Sequence, residues 1–140
     1  MFPARGWGGE PMNAAYRMTE LQGIHVLVID DDRLSRHFLR SLLEFSGAIV
    51  TATNTVDAIR AALIADVIVC DLTSAEMAGR EFLAQLQHLH VRVGRAVPAI
   101  ALAPAGTRSA HVRAAGFRSY LTKPVDGDEL RAAVLERCRE

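Results

Sequence analysis

Three short stretches of this sequence end on side chains that could do chemistry together. Residues 26–29 and 67–70 are apolar runs of four residues, and residues 119–122 end a third, less uniform apolar stretch. The residues that follow these stretches are Asp30, Asp31 and Asp32 after the first, Asp71 after the second, and Lys123 and Pro124 after the third. Carboxylates and a lysine brought to one place could hold a metal ion or a phosphoryl group.

The strands that must position these side chains are predicted from the same runs. A short, continuously apolar run is typical of a strand that is buried on both faces of a parallel sheet. In an open sheet of this kind, ligands bind at the carboxyl ends of the strands. We therefore expect the three strand ends to converge, and we expect Asp71 to be the residue that the site serves.

Strands and helices alternate along the predicted chain. The predicted strands are 24–29, 49–52, 67–70, 97–103 and 117–121, and the predicted helices are about 33–46, 54–65, 80–91, 107–116 and 126 onward. This alternation predicts an α/β fold, a single doubly wound parallel sheet of five strands with helices on both faces. Of the usual strand orders, the flavodoxin-like order 2-1-3-4-5 fits five strands and makes the first and third strands neighbours.

The first predicted helix has a capping residue and an apolar face. Asp32 is a suitable N-cap residue. The apolar residues at helical spacing, which we expect to face the core, are Leu34, Phe38, Leu42 and Phe45.

Composition limits the classes of function. The 140 residues contain 16 Lys and Arg and 16 Asp and Glu, which argues against a nucleic-acid-binding surface. No apolar run approaches the roughly 20 residues of a membrane helix, and no signal-peptide pattern is present. Cys70 and Cys138 do not indicate a disulfide, so a cytoplasmic location is expected. Residues 1–22 are expected to form a flexible tail, and residues 23–140 the folded domain.

The predicted crevice suggests phosphoryl chemistry. Asp30, Asp31 and Asp71 repel one another unless a cation neutralises them, and Mg²⁺ prefers such oxygen ligands. Lys123 adds a positive charge that can pair with a carboxylate or a phosphate. A carboxylate beside Mg²⁺ and a lysine can act as a nucleophile that accepts a phosphoryl group.

From about residue 23 to 137 the sequence resembles the bacterial response-regulator receiver domain of two-component signalling. The matching residues are Asp30 and Asp31, the phosphorylated aspartate at Asp71, the glycine at Gly79, the aromatic at Tyr120, and the pair Lys123 and Pro124. The resemblance implies a phosphoacceptor and not an enzyme. It also implies that Asp30, Asp31, Asp71 and the Thr73 carbonyl hold Mg²⁺. A histidine kinase or a histidine phosphotransfer domain would be the donor, and the Lys123–Pro124 bond would be cis.

The end of the fourth predicted strand departs from this family. Ala103 and Pro104 stand where the family usually has Thr or Ser followed by a small residue. Alanine lacks the hydroxyl, and proline lacks the backbone N–H, that would bond a phosphoryl oxygen. We therefore expect Tyr120 to turn inward without phosphorylation, and we expect weak conformational switching.

Other functions are also compatible with the sequence. The chain could be a pseudo-receiver that docks proteins without phosphorylation, or the receiver part of a hybrid histidine kinase. A homodimer through the fourth predicted helix, the fifth strand and the fifth helix is a further expectation. Asp30 and Asp32 also resemble the nucleophile motif of haloacid-dehalogenase phosphatases, although Leu34 stands where that family prefers threonine or valine.

Overall fold

The chain forms a single five-stranded sheet. The computed structural model describes residues 19–54, 62, 64–71, 84–88, 90–91, 94, 96–114, 116–117 and 119–138. The strands are β1 (His25–Ile29), β2 (Ile49–Thr53), β3 (Val67–Asp71), β4 (Ala99–Ala103) and β5 (Ser119–Thr122). They are parallel and lie in the order β2-β1-β3-β4-β5. The predicted fold class and strand order are confirmed.

The middle strand β3 is buried along its whole length. It pairs with β1 on one side, where Ile29 is opposite Cys70, and with β4 on the other, where Asp71 is opposite Leu102. Burial on both faces explains why the run of residues 67–70 carries no polar alternation. The carboxyl ends of these strands therefore lie at one edge of the sheet, where the candidate site is found.

Helices cover both faces of the sheet. Three have bounds within the described residues: α1 (Arg33–Phe45), α2 (Ser109–Ala114) and α3 (Gly127–Cys138). Residues 84–88 and 90–91 are also helical. Helical structure is thus described at four of the five predicted places, and the second predicted helix falls mostly on residues outside the description. None of the described helices is long and apolar enough to cross a membrane.

The two faces of the sheet carry two separate cores. Leu39 and Leu43 of α1 pack with Leu130 and Val134 of α3 against one face. Val112 of α2 packs in the cluster on the other face. Successive strand residues contribute to alternate clusters, as the pleat of a strand requires. This is the doubly wound arrangement that the sequence predicts.

The predicted inner face of α1 is wrong for three of its four residues, whereas Leu42 is partly buried and packs against the core. Leu34 is 80% exposed, Phe38 54% and Phe45 58%. The helix instead buries Leu39 and Leu43, which lie on the opposite side of the helix. Long cationic side chains tie this orientation to the sheet: the Arg36 guanidinium donates to the Asp30 carbonyl, and the Arg40 guanidinium to the Val50 carbonyl.

The boundary predicted after residue 22 also needs correction. Leu21 is fully buried in the α1–α3 core, and its N–H donates to the Ser46 carbonyl at 2.8 Å. Glu20 pairs with Arg131 of α3 at 3.7 Å. Residues 19–22 therefore belong to the folded domain, because a buried leucine and an ion pair hold them against it.

Candidate functional site

Asp71 and Lys123 meet at the carboxyl edge of the sheet. Asp71 ends β3 and is 6% exposed. The Lys123 ammonium, just beyond β5, donates to Asp71 Oδ2. The Lys123 N–H donates to the Ala103 carbonyl at 2.9 Å, which keeps the chain beyond β5 beside the end of β4. The Lys123–Pro124 peptide bond is cis.

Asp30 is the second buried carboxylate of the site and is 2% exposed. Its Oδ1 accepts from the Asp32 N–H at 2.8 Å. Its Oδ2 is buried and has no hydrogen-bond partner among the described residues. Burial raises the pKa of Asp30 above its ordinary value, and the Asp71 carboxylate raises it further. The Ser35 side chain and the Asp32 N–H act in the opposite direction.

Asp31 and Asp32 are exposed and have different positions. Asp32 Oδ2 accepts from the Ser35 N–H at 2.8 Å, so Asp32 is the N-cap of α1, as predicted. Asp31 contributes negative charge near the end of β3. Burial raises the pKa of the Cys70 thiol to about 12, and the charges of Asp71, Asp30 and Asp31 add to this effect.

The arrangement fits a divalent cation bound mainly by Asp30 and Asp71. The orphaned Asp30 Oδ2 is a buried anionic oxygen, and such oxygens are normally paired or bound to metal. Within the described ranges no three His, Cys, Asp or Glu side chains form a metal cage, so water would have to complete the shell. Mg²⁺ commonly takes one or two carboxylates and keeps several waters. The predicted ligand Thr73 and the matching Gly79 lie outside the described residues.

The end of β4 provides little hydrogen bonding for an anion. Ala103 is fully buried and Pro104 is exposed. The nearby Thr107 hydroxyl is already engaged, because it donates to the Pro104 carbonyl at 2.7 Å. Tyr120, on the neighbouring strand, is half-buried and packs against the cluster that contains Ala103.

The structure adds Arg36 to the site, a residue that the sequence analysis did not consider. Its guanidinium donates to the carbonyl of Asp30, six residues earlier and before the start of α1, at 2.8 Å. This contact holds the backbone of the acidic segment against the start of α1. The sequence feature that could have predicted this contact is an arginine in the first turn of a helix that directly follows an acidic run.

Comparison with known proteins shows the family to which the chain belongs. The model of the response regulator receiver domain matches residues 26–135, which is most of the chain. The chain therefore belongs to the response regulator receiver domain family.

Relatives and solved structures cover nearly the same length. A Leptolyngbya boryana protein, described as an uncharacterized 14.6 kDa protein in the sodA1 3' region, is 39% identical over 127 residues, 86% of this chain and 95% of that protein. The receiver domain of Francisella response regulator 1452 is 26% identical with a TM-score of 0.69, covering 84% of this chain and 98% of that one.

A third similarity is to a complex. It is the Saccharomyces cerevisiae co-crystal structure of the histidine phosphotransfer protein Ypd1 and the receiver domain of its downstream response regulator Ssk1. The matched chain is 22% identical with a TM-score of 0.74, covering 85% of this chain and 91% of that one. At this identity the match shows the fold.

Proposed function

We propose that the chain accepts a phosphoryl group on Asp71 from a histidine kinase or a histidine phosphotransfer protein, with Mg²⁺ held mainly by Asp30 and Asp71 and with Asp31 contributing through a bound water. The observation that carries this proposal is the ion pair of Lys123 with Asp71 beside the unpaired Oδ2 of Asp30. The Ypd1–Ssk1 complex pairs a phosphotransfer protein with a receiver domain, which supports a donor of this class. The proposed role is that of a cytoplasmic phosphoacceptor and not of an enzyme.

The proposed step joins an Asp71 oxygen to phosphorus. A carboxylate oxygen attacks the phosphorus of a phosphohistidine, and a P–O bond forms as the P–N bond breaks. The donor imidazole leaves with the electron pair of that bond and takes up a proton from water. Lys123 orients the carboxylate and offsets negative charge on the incoming group. Bound Mg²⁺ would add positive charge at the phosphoryl oxygens.

The conformational response to this step is proposed to be weak. A ligand shifts a conformational equilibrium only through its different contacts with the two states. Ala103 offers no hydroxyl, Pro104 has no N–H, and the Thr107 hydroxyl is engaged elsewhere. Tyr120 already packs partly buried against the cluster containing Ala103, so little remains for the phosphoryl group to change.

Incubation with acetyl phosphate and Mg²⁺, followed by intact mass measurement, tests the phosphoacceptor role. We expect the wild-type chain to gain the mass of one phosphoryl group, and the Asp71→Asn variant to gain none. Omission of Mg²⁺ should reduce the gain. An unmodified wild-type chain, or a gain that persists in Asp71→Asn, would contradict the proposal.

A pseudo-receiver is the second candidate function, and the pair Ala103 and Pro104 specifically favours it. A protein-docking module has no need of donors at the end of β4. The same experiment separates the two candidates, because a pseudo-receiver should stay unmodified in both the wild-type chain and Asp71→Asn. A histidine phosphotransfer protein loaded with phosphate should then also fail to label Asp71.

A further inference from the structure

Arg36 holds the backbone of one of the two carboxylate residues at the candidate cation site. It is half-buried in the first turn of α1, and its guanidinium donates to the Asp30 carbonyl at 2.8 Å. Its own N–H makes a helical hydrogen bond to the Asp32 carbonyl at 2.9 Å. A side chain of the helix therefore reaches past the cap residue to the end of β1, where the site lies.

Within the described part of the chain, Oδ2 is the one polar atom of Asp30 that has no hydrogen-bond partner. The Asp30 N–H donates to the Thr53 carbonyl at the end of β2 at 3.0 Å. Its carbonyl accepts from Arg36, and its Oδ1 accepts from the Asp32 N–H at 2.8 Å. These three bonds fix the backbone and the rotation of the carboxyl group, and they leave Oδ2 for a ligand.

The position of the Asp30 carboxyl group matters because the Asp71 carboxylate is close to it. The two residues are 2% and 6% exposed, and Asp71 is near enough to raise the pKa of Asp30. Like charges in a buried site repel, which favours movement of Asp30 away from Asp71. A cation that both carboxylates bind needs them held together beforehand, since ordering during binding is subtracted from the affinity.

Arg40 provides a comparison within the same helix. It lies one turn after Arg36, and its guanidinium donates to the carbonyl of Val50 in β2 at 3.2 Å. It also pairs with Glu44 at 3.6 Å. Both arginines attach α1 to a strand carbonyl, but only Arg36 acts on a residue of the site.

We propose that Arg36 is a positioning residue for the divalent-cation site: by holding the Asp30 carbonyl, it keeps Asp30 Oδ2 directed to a cation shared with Asp71. This role rests on the proposed function, which places Mg²⁺ at these two carboxylates. Charge alone predicts the opposite effect, because a positive side chain near the site weakens the binding of a cation. Loss of the Arg36 side chain therefore tightens Mg²⁺ binding if only its charge matters, and weakens it if Arg36 positions Asp30.

Titration of the full chain with Mg²⁺, followed by two-dimensional amide spectra, tests the proposal. We expect Arg36→Gln to raise the Mg²⁺ dissociation constant about tenfold, because groups that orient metal ligands have effects of this size. Arg36→Lys keeps the charge and one donor group but not the planar fork, so it should raise the constant by a smaller factor. The matched control is Arg40→Gln, which should leave the constant unchanged. Circular dichroism should show all three variants folded.

Phosphorylation by acetyl phosphate separates positioning from a general loss of function. The Mg²⁺ concentration that gives half-maximal labelling of Asp71 should rise in Arg36→Gln. The labelling rate at saturating Mg²⁺ should stay near that of the wild-type chain, because Asp71 and Lys123 are unchanged.

Amide hydrogen exchange in EDTA gives a readout that does not involve the metal. The Asp32 N–H, which donates to Asp30 Oδ1, should exchange faster in Arg36→Gln than in the wild-type chain. Its exchange rate should be unchanged in Arg40→Gln.

Three results would overturn the positioning role of Arg36. The first is a Mg²⁺ dissociation constant in Arg36→Gln that equals or falls below that of a wild-type chain that binds Mg²⁺, which leaves the proposed function intact. The second is an equal rise in Arg36→Gln and Arg40→Gln, which would assign the effect to the attachment of α1 as a whole. The third is a wild-type chain that neither binds Mg²⁺ nor accepts a phosphoryl group, which would overturn the proposed function as well.

Discussion

At the scale of single residues, the Asp30 carboxylate is a charge that burial in the folded protein disfavours. It is 2% exposed, and within the described part of the chain its Oδ2 has no hydrogen-bond partner. Burial and the nearby Asp71 raise its pKa above the ordinary 3.8. The folded state therefore holds the Asp30 proton at pH values where the unfolded chain has released it. As the pH rises through that window, Asp30 should therefore lower the free energy of unfolding. A cation that neutralises Asp30 and Asp71 should remove this loss.

Asp30→Asn should therefore raise the free energy of unfolding at neutral pH, in metal-free buffer, by about 1 kcal/mol. As the pH rises above the ordinary aspartate pKa of 3.8, the variant should also lose less stability than the wild-type chain. Urea denaturation at a series of pH values with EDTA measures both effects. Mg²⁺ should stabilise the wild-type chain and have much less effect on the variant.

The control for this prediction is Asp31→Asn, which removes an exposed carboxylate from the neighbouring position. It should keep the pH dependence of the wild-type chain. Equal pH dependence in wild type and Asp30→Asn would show that the buried carboxylate is not the source of the effect.

At the scale of elements, the carboxyl end of β4 determines how the site communicates with the rest of the domain. Ala103 is fully buried, and its carbonyl accepts from the Lys123 N–H, so β4 and the lysine segment are already joined. Thr107 closes the loop after β4 onto Pro104. The hydrogen bonds of this element are thus made within the protein, which is the physical basis of the weak response proposed above.

The beryllofluoride adduct of Asp71, a mimic of the phosphorylated residue, provides the test. We expect only small chemical-shift changes at Thr107, Tyr120 and Val125 in two-dimensional amide spectra of the wild-type adduct. The double variant Ala103→Thr with Pro104→Ala restores a hydroxyl and an N–H and should enlarge these changes. Large changes in the wild-type adduct would contradict the weak conformational response. No enlargement in the double variant would show that Ala103 and Pro104 are not its cause.

At the scale of the whole molecule, the segment before β1 helps to hold the domain together. Leu21 fills the core between α1 and α3, and Glu20 pairs with the largely buried Arg131. Arg131 also pairs with Asp128 at the start of α3. The first and last elements of the fold are therefore joined through residues that composition alone assigns to a tail.

Leu21→Ala should lower the free energy of unfolding by about 2–4 kcal/mol, because it leaves a cavity in a packed core. Urea denaturation measures this change. Ile64→Ala, at a position that is 64% exposed, is the matched control and should cost far less. Similar small losses in the two variants would place Leu21 outside the core and return the domain boundary to residue 22.

The sequence by itself determined the sheet and the central part of the site. The run of residues 67–70 has no polar alternation, which is typical of a strand buried on both faces, and Asp71 follows directly after it. The same reasoning placed Asp30 at the end of β1. The covalent order of strands and helices limits the topology to a few choices, and the observed strand order is one of them.

Only the tertiary structure decided which side of each helix is buried and which charges meet. The α1 sequence carries two apolar faces, and packing against the sheet and α3 buries the face with Leu39 and Leu43. The burial of Leu21 and the orphaned oxygen of Asp30 likewise depend on neighbours that are far away in the chain. Hydrophobic spacing is a local property, whereas burial depends on what the rest of the fold packs against it.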